Sequence, residues 1–228
     1  MLTIDIVSDA VCPWCFIGKR HLDTALAELA KAGQLPELRI HWHPFLFDAH
    51  TPEQGESYQE FLLRKFGDPA RVMSVLERVR NAGRESGIDF AFEKILLRPN
   101  TLRAHRLLHR CQLQHQHDPA DPSHALAEAI FQAHFIDGLD IGDLPTLAAL
   151  AAPFLATPAA DLEVWLAGDQ YAETVLSQAQ RLPEMLGIGG VPFFVINGRV
   201  GLSGAQPPGA FLSAIAEAQA EASQDAPA

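Results

Sequence analysis

The chain has 228 residues, 48% of them hydrophobic and 20% charged, which is enough to bury one large domain or one domain carrying a sizeable insertion. A net charge of −11 argues against nucleic acid or an anionic membrane surface as partner, and no apolar run approaches the roughly 18 residues of a membrane span. The opening MLTIDIVSDA lacks a basic start and a small-residue cleavage site, so the cytoplasm is the expected compartment, where a close pair among only three cysteines points to catalysis, redox sensing or metal binding.

Residues 3–7, TIDIV, alternate as a strand and lead into CPWC at 12–15; apolar positions at helical spacing follow from Phe16 to about Leu29. A second strand is expected over about 37–47, with Ile40 and Trp42 on one face and His41 and His43 on the other. From about Thr51 the chain reads as mostly helical. Thr51-Pro52, Asp68-Pro69, Asp121-Pro122 and Thr157-Pro158 each set a capping side chain before a proline at a helix start. Helices are expected over about 53–65, 70–86, 101–117, 123–136, 144–155 and 158–167. A further helix runs to about Leu186, broken late by Pro183, and then VPFFVI, Asn197-Gly198 and RVGL read as a hairpin. Ser203 and Gln206 predict a capping box for a last helix over about 205–220, and EASQDAPA (221–228) is expected to fray.

With the middle set aside, strand–helix–strand and helix–strand–strand–helix remain. That is the element order of a thioredoxin fold, an α/β domain made of residues 1–50 and 168–220, with 51–167 as one large all-helical insertion.

Cys12-Pro13 repeats the helix-start pattern with cysteine where the other starts carry Thr or Asp. A side chain at that position points at the free N–H groups of the first turn, at the positive end of the helix dipole. A thiolate gains far more there than a neutral thiol, and the thiolate is the nucleophile. Pro13 contributes no N–H and fixes the helix start. Cys15 falls at the third helical position. Residues three apart in a regular helix hold their Cβ atoms about 5–6 Å apart, whereas a disulfide needs about 3.5–4.5 Å. A non-helical capping residue can fold back and close that gap, so Cys12 would attack and Cys15, more buried, would resolve the mixed disulfide. The main rival is half a zinc site, completed by His105 and His109. Those residues lie some 90 positions away, and Pro-Trp inside the pair at a helix start is not a usual zinc knuckle.

CPWC after a first strand, together with GIGGVPFFVINGRVGLSGAQP, resembles the DsbA-like thioredoxin-fold oxidoreductases, and within them the cytoplasmic FrnE-type branch. The resemblance covers nearly the whole chain, insertion included. It implies that Cys12 is the nucleophile, Cys15 the resolving thiol, and Val191-Pro192 a cis bond that packs against the pair. It also implies that the Val191 backbone pairs with substrate, approached through Gly187, Gly189 and Gly190. Read on its own, Pro192 would instead start an edge strand. Kappa-class glutathione transferases and 2-hydroxychromene-2-carboxylate isomerases share the fold and resemble the chain around VPFF and SGAQ. They carry serine at the position of Cys12, and Ser203, Gly204 and Ala205 would then offer a site for a glutathione carboxylate. Some FrnE-type members have a second cysteine pair near the C-terminus; nothing here matches it, so an external thiol would have to recharge the site.

Trp14 would contact substrate or simply pack. Asn100, opening an insertion helix with Thr101, is a further substrate-contact candidate or merely a cap. Cys111, on one face with Leu107 and Leu108, reads as a buried inert thiol, the alternative being a third redox thiol that reaches the active site from the insertion. Lys19 is expected to be exposed, and His41 or His43 would assist proton transfer only if their face looks toward the cysteines. The expected activity is thiol–disulfide exchange with protein clients or small thiols. It needs no metal and no bound cofactor, with glutathione as a co-substrate at most, and no nucleic-acid or membrane partner. A glutathione-dependent transferase or isomerase is one alternative; a zinc-stabilised binding protein is another.

Overall fold

The computed structural model describes residues 1–118 and 120–224. The chain opens with β1 (Leu2–Ser8), α1 (Pro13–Lys31) and β2 (Leu38–Pro44), and β2 lies parallel to β1 with Ile4 opposite Ile40 and Ile6 opposite Trp42. It closes with α8 (Ala172–Leu186), β5 (Phe193–Ile196), β6 (Val200–Ser203) and α9 (Pro208–Gln224). The sheet order is β2-β1-β5-β6, with β5 antiparallel to β1 and β6 antiparallel to β5. β1 is therefore central, and its Leu2, Ile4, Ile6 and Val7 are fully buried. Asn197 (φ 51°) and Gly198 (φ 66°) make the hairpin turn, closed by a bond of 3.0 Å from Arg199 N–H to Ile196 O. The Asn197 side chain also accepts from Thr3 N–H at 2.9 Å, tying the turn to β1.

Between the two halves lie β3 (Glu56–Ser57), α2 (Tyr58–Phe66), α3 (Pro69–Glu85), β4 (Leu97–Arg98), α4 (Leu102–Gln114), α5 (Ser123–Phe135), α6 (Leu144–Leu155) and α7 (Ala159–Ala167). One hydrophobic cluster joins this insertion to the sheet. Phe16 of α1 stacks on Phe131 of α5 with centroids 5.2 Å apart. Gln112 of α4 meets the open edge of β2, accepting from Trp42 N–H at 2.5 Å and donating to Trp42 O at 3.0 Å.

Several local expectations are corrected. No helix starts at Thr51-Pro52: residues 51–55 form a turn in which Gly55 N–H donates to Pro52 O, and β3 pairs with β4 before α2 begins. The start signal was Ser57, whose hydroxyl accepts from Glu60 N–H at 3.3 Å, so a two-stranded ribbon interrupts the expected run of helices. Asp68 caps α3 as expected, through Arg71 N–H at 3.0 Å. At the starts of α5 and α7 the proline itself is the capping residue, and the Asp121 carboxylate instead accepts from Ser123 N–H. Pro183 does not break α8, which ends one turn later at Gly187 (φ 63°). The Ser203–Gln206 capping box does not form either. Pro207 and Pro208 bias the residues before them away from helix, so α9 starts at Pro208 and the Gln206 amide donates to Ser203 O. α9 continues through Gln224; the rest of the tail expected to fray lies outside the described residues.

Candidate active site

Asp9, Ala10 and Val11 turn the chain from the end of β1 into α1, and Cys12 N–H closes that turn on Asp9 O at 3.0 Å. Cys12 caps the helix in an extended conformation (φ −98°, ψ 108°), Pro13 is the first helical residue, and Cys15 N–H donates to Cys12 Sγ at 3.3 Å. From the other side Cys12 Sγ donates to Val191 O at 3.7 Å. Val191-Pro192 is cis. Pro192 O accepts from Gly204 N–H at 2.8 Å, and Pro192 and Phe194 pack on Gly18 of α1. The two cysteines are not bridged and are buried, 3% and 1% exposed.

Burial pushes the Cys15 thiol well above the ordinary cysteine range, and its contact with Cys12 pushes it further; bonds from the Ser8 side chain and the Asp9 backbone oppose the rise. Cys15 is thus kept protonated. Asp9, a carboxylate 1% exposed, organises the surroundings: it accepts from Phe47 N–H at 2.9 Å and Val11 N–H at 3.5 Å. His105 Nε2 stands 3.5 Å from the same carboxylate without the alignment of a hydrogen bond.

Cys12 opens onto a cavity of about 430 Å³. Pro13, Trp14 and Val191 border it beside Cys12, and α2 and α3 of the insertion close the far side with Tyr58, Phe61, Phe66, Leu76 and Val79. Burial pushes the Tyr58 phenol upward, so it stays a donor. His134 of α5 reaches the same cavity. It is 1% exposed, Nδ1 has no protein partner, and burial pushes the imidazole down to about 4.

The remaining candidates lie elsewhere. Asn100 donates to Thr51 O at 2.7 Å and accepts from Leu102 N–H at 3.0 Å, and it borders a separate depression with Arg103 and Arg106. Ser203, Gly204 and Ala205 sit behind Pro192, ahead of α9 rather than at its first turn, and do not line the cysteine cavity. His43 and His41 flank Asp5 Oδ1 at 2.7 and 3.4 Å, away from the cavity. Cys111 is fully buried, and burial with the nearby Asp121 charge pushes its thiol up to about 12. Lys19 is the clearest correction: it is 3% exposed and held by Asp23 at 2.8 Å and Glu128 at 2.9 Å, since the insertion covers that face of α1.

Asp9, His134, Phe47 and Tyr58 were not singled out from the sequence. Asp9 had a readable signal, an acidic residue three positions before Cys12. The others are brought in by tertiary packing alone.

A profile of the DSBA-like thioredoxin domain matches residues 3–216. An uncharacterized Bacillus subtilis protein, YwbO, is 24% identical over 217 residues, covering 95% of this chain and 96% of YwbO. Among solved structures, a probable DsbA oxidoreductase from Streptomyces coelicolor superposes with a TM-score of 0.82 at 26% identity, over 100% of this chain and 93% of that one. The cytosolic disulfide reductase DsbM from Pseudomonas aeruginosa, solved with GSH, gives a TM-score of 0.60 at 18% identity, over 97% and 98%.

Proposed function

The chain belongs to the DSBA-like thioredoxin domain family, and we propose that it is a thiol–disulfide oxidoreductase working through the Cys12–Cys15 dithiol. The observation that carries this reading is the Cys15 N–H bond to Cys12 Sγ at 3.3 Å, at a helix N-terminus that opens onto a cavity. That donor and the helix dipole stabilise negative charge on the capping sulfur.

Cys12 thiolate attacks one sulfur of a substrate disulfide, forming a mixed disulfide and releasing the other half as a thiolate. Cys15 then loses its proton and attacks Cys12 Sγ, releasing the second half. Two electrons pass from the protein dithiol to the substrate, and the protein is left with a Cys12–Cys15 disulfide. The reverse sequence oxidises a substrate dithiol. Pro192 holds the loop against α1, and Val191 presents its backbone beside the nucleophile. Protein thiols or glutathione serve as exchange partners; glutathione is a co-substrate, and the chemistry calls for no resident cofactor. The GSH-containing cytosolic reductase among the similar folds supports the small-thiol and cytoplasmic parts of this proposal. No helix among the described residues is long and apolar enough to cross a membrane.

The test is a pair of variants. Cys12→Ser is expected to lose exchange altogether, and Cys15→Ser to accumulate a mixed disulfide at Cys12 visible by mass. Normal turnover by Cys12→Ser would end the proposal.

A further inference from the structure

We propose that the cavity beside Cys12 selects small disulfides that carry an aromatic ring and a carboxylate, with Lys65 reading the charge. This rests on the oxidoreductase reading above and names its substrate class.

Cys12 is 3% exposed, so the sulfur it attacks must enter the cavity. The volume, about 430 Å³, falls in the range of small-molecule sites, about 300–1,000 Å³. The walls are aromatic and aliphatic, with Trp14, Tyr58, Phe61 and Phe66 offering faces and edges to a planar ring.

The chain carries a net −11, yet three cations, Arg64, Lys65 and Arg98, border this cavity. Glu56 binds Arg64 at 2.6 Å and Arg98 at 2.7 Å, and Asp48 lies 3.6 Å from Arg98. Two carboxylates therefore answer two guanidinium groups. Lys65 has no ion-pair partner among the described residues. Its Nζ stands 5.3 to 5.5 Å from the ring centroids of Phe47, Phe61 and Phe66, which orient the ammonium without using its hydrogen-bond capacity as a carboxylate would. An anionic group on an aromatic ring seated in the cavity meets one unmatched positive charge at the rim.

The exchange step is unchanged: Cys12 thiolate opens the aryl disulfide, one aryl thiolate leaves, and Cys15 displaces the second. The reduced protein itself supplies both electrons in a single turnover.

Three probes test the proposal with reduced full-length protein at fixed pH. 5,5′-Dithiobis(2-nitrobenzoate) is aromatic and anionic, 4,4′-dithiodipyridine aromatic and uncharged, and oxidised glutathione aliphatic and anionic. Each single-turnover rate is divided by that of 2-mercaptoethanol with the same probe, which removes intrinsic reactivity. The normalised rate for the nitrobenzoate is expected to exceed both others about fivefold or more, and Lys65→Gln to lower the nitrobenzoate-to-dithiodipyridine ratio by about fivefold. Equal normalised rates, a preference for oxidised glutathione, or an unchanged ratio in Lys65→Gln would overturn the proposal. Failure of the protein to react with all three probes would instead overturn the oxidoreductase reading.

Discussion

Cys12 Sγ lies 3.7 Å from the carbonyl oxygen of Val191, a residue 179 positions later in the chain. One atom is placed by the turn out of β1, the other by the loop into β5, and those strands pair antiparallel with Val7 opposite Phe193. Cys12 is thus positioned by closure of the sheet as much as by its own helix. Damage to the contact between α1 and the Pro192 loop should reach the chemistry.

Gly18 is where that contact is tightest. A Cβ there would lie 3.0 Å from Pro192 Cγ and 3.1 Å from Phe194 Cζ. Alanine would gain up to about 1 kcal/mol of helix propensity, but overpacking a filled core costs about 1–3 kcal/mol and wins. Gly18→Ala is expected to lower the urea midpoint and slow exchange, because the Pro192 loop must shift away from Cys12. A more stable variant with undiminished exchange would mean that the helix and the loop do not constrain each other.

His134 sets a pH dependence. Unfolded, its imidazole takes up a proton near 6.5; folded, only near 4, because burial disfavours the cation. Between those values the unfolded chain binds the additional proton, so this contribution is complete above about pH 6.5 and shrinks as pH falls toward 4. By pH 5 the loss comes to about 2 kcal/mol. Burial raises the carboxyls of Asp5, Asp23 and Glu56, but histidine, lysine and arginine partners hold them below their ordinary ranges, so they enter only at lower pH. His109 is also pushed down by burial and adds to the same fall, so urea unfolding at pH 7.5 and pH 5.0 should show the drop in the parent chain and a smaller one in His134→Gln. Equal drops would remove His134 as its source.

Cys111 should stand apart from the redox pair. With its thiol pushed up to about 12 and its side chain fully buried, it should escape iodoacetamide at pH 8 in the native state and react on unfolding. Cys111→Ala should exchange disulfides at the parent rate. Native labelling of Cys111 ahead of Cys12, located by peptide mapping, would contradict this.

What could be read from the sequence was local. Cysteine before proline at a helix start, Asn197-Gly198 between apolar runs, and strands of alternating or continuous apolar character each carry their signal within a few residues, and the structure forms them. The cavity was not legible, because its walls come from α1, α2 and α3 and from the loops holding Phe47 and Val191. Lys19 shows why: on α1 alone a lysine one turn past Cys15 is a solvent residue, and only Glu128 of α5, 109 positions on, makes it a buried one. Ser203 and Gln206 failed for the opposite reason. The capping pattern was present, but Pro207-Pro208 overrode it with a harder steric rule.

The most direct test is equilibration of the full chain in buffers of varied reduced-to-oxidised glutathione ratio, with free thiols counted by alkylation and mass. One reversible two-electron transition is predicted, Cys12 and Cys15 oxidising together while Cys111 stays reduced, at a potential within about −120 to −270 mV. A pair that never interconverts across that range, or that oxidises only together with Cys111, would contradict the account.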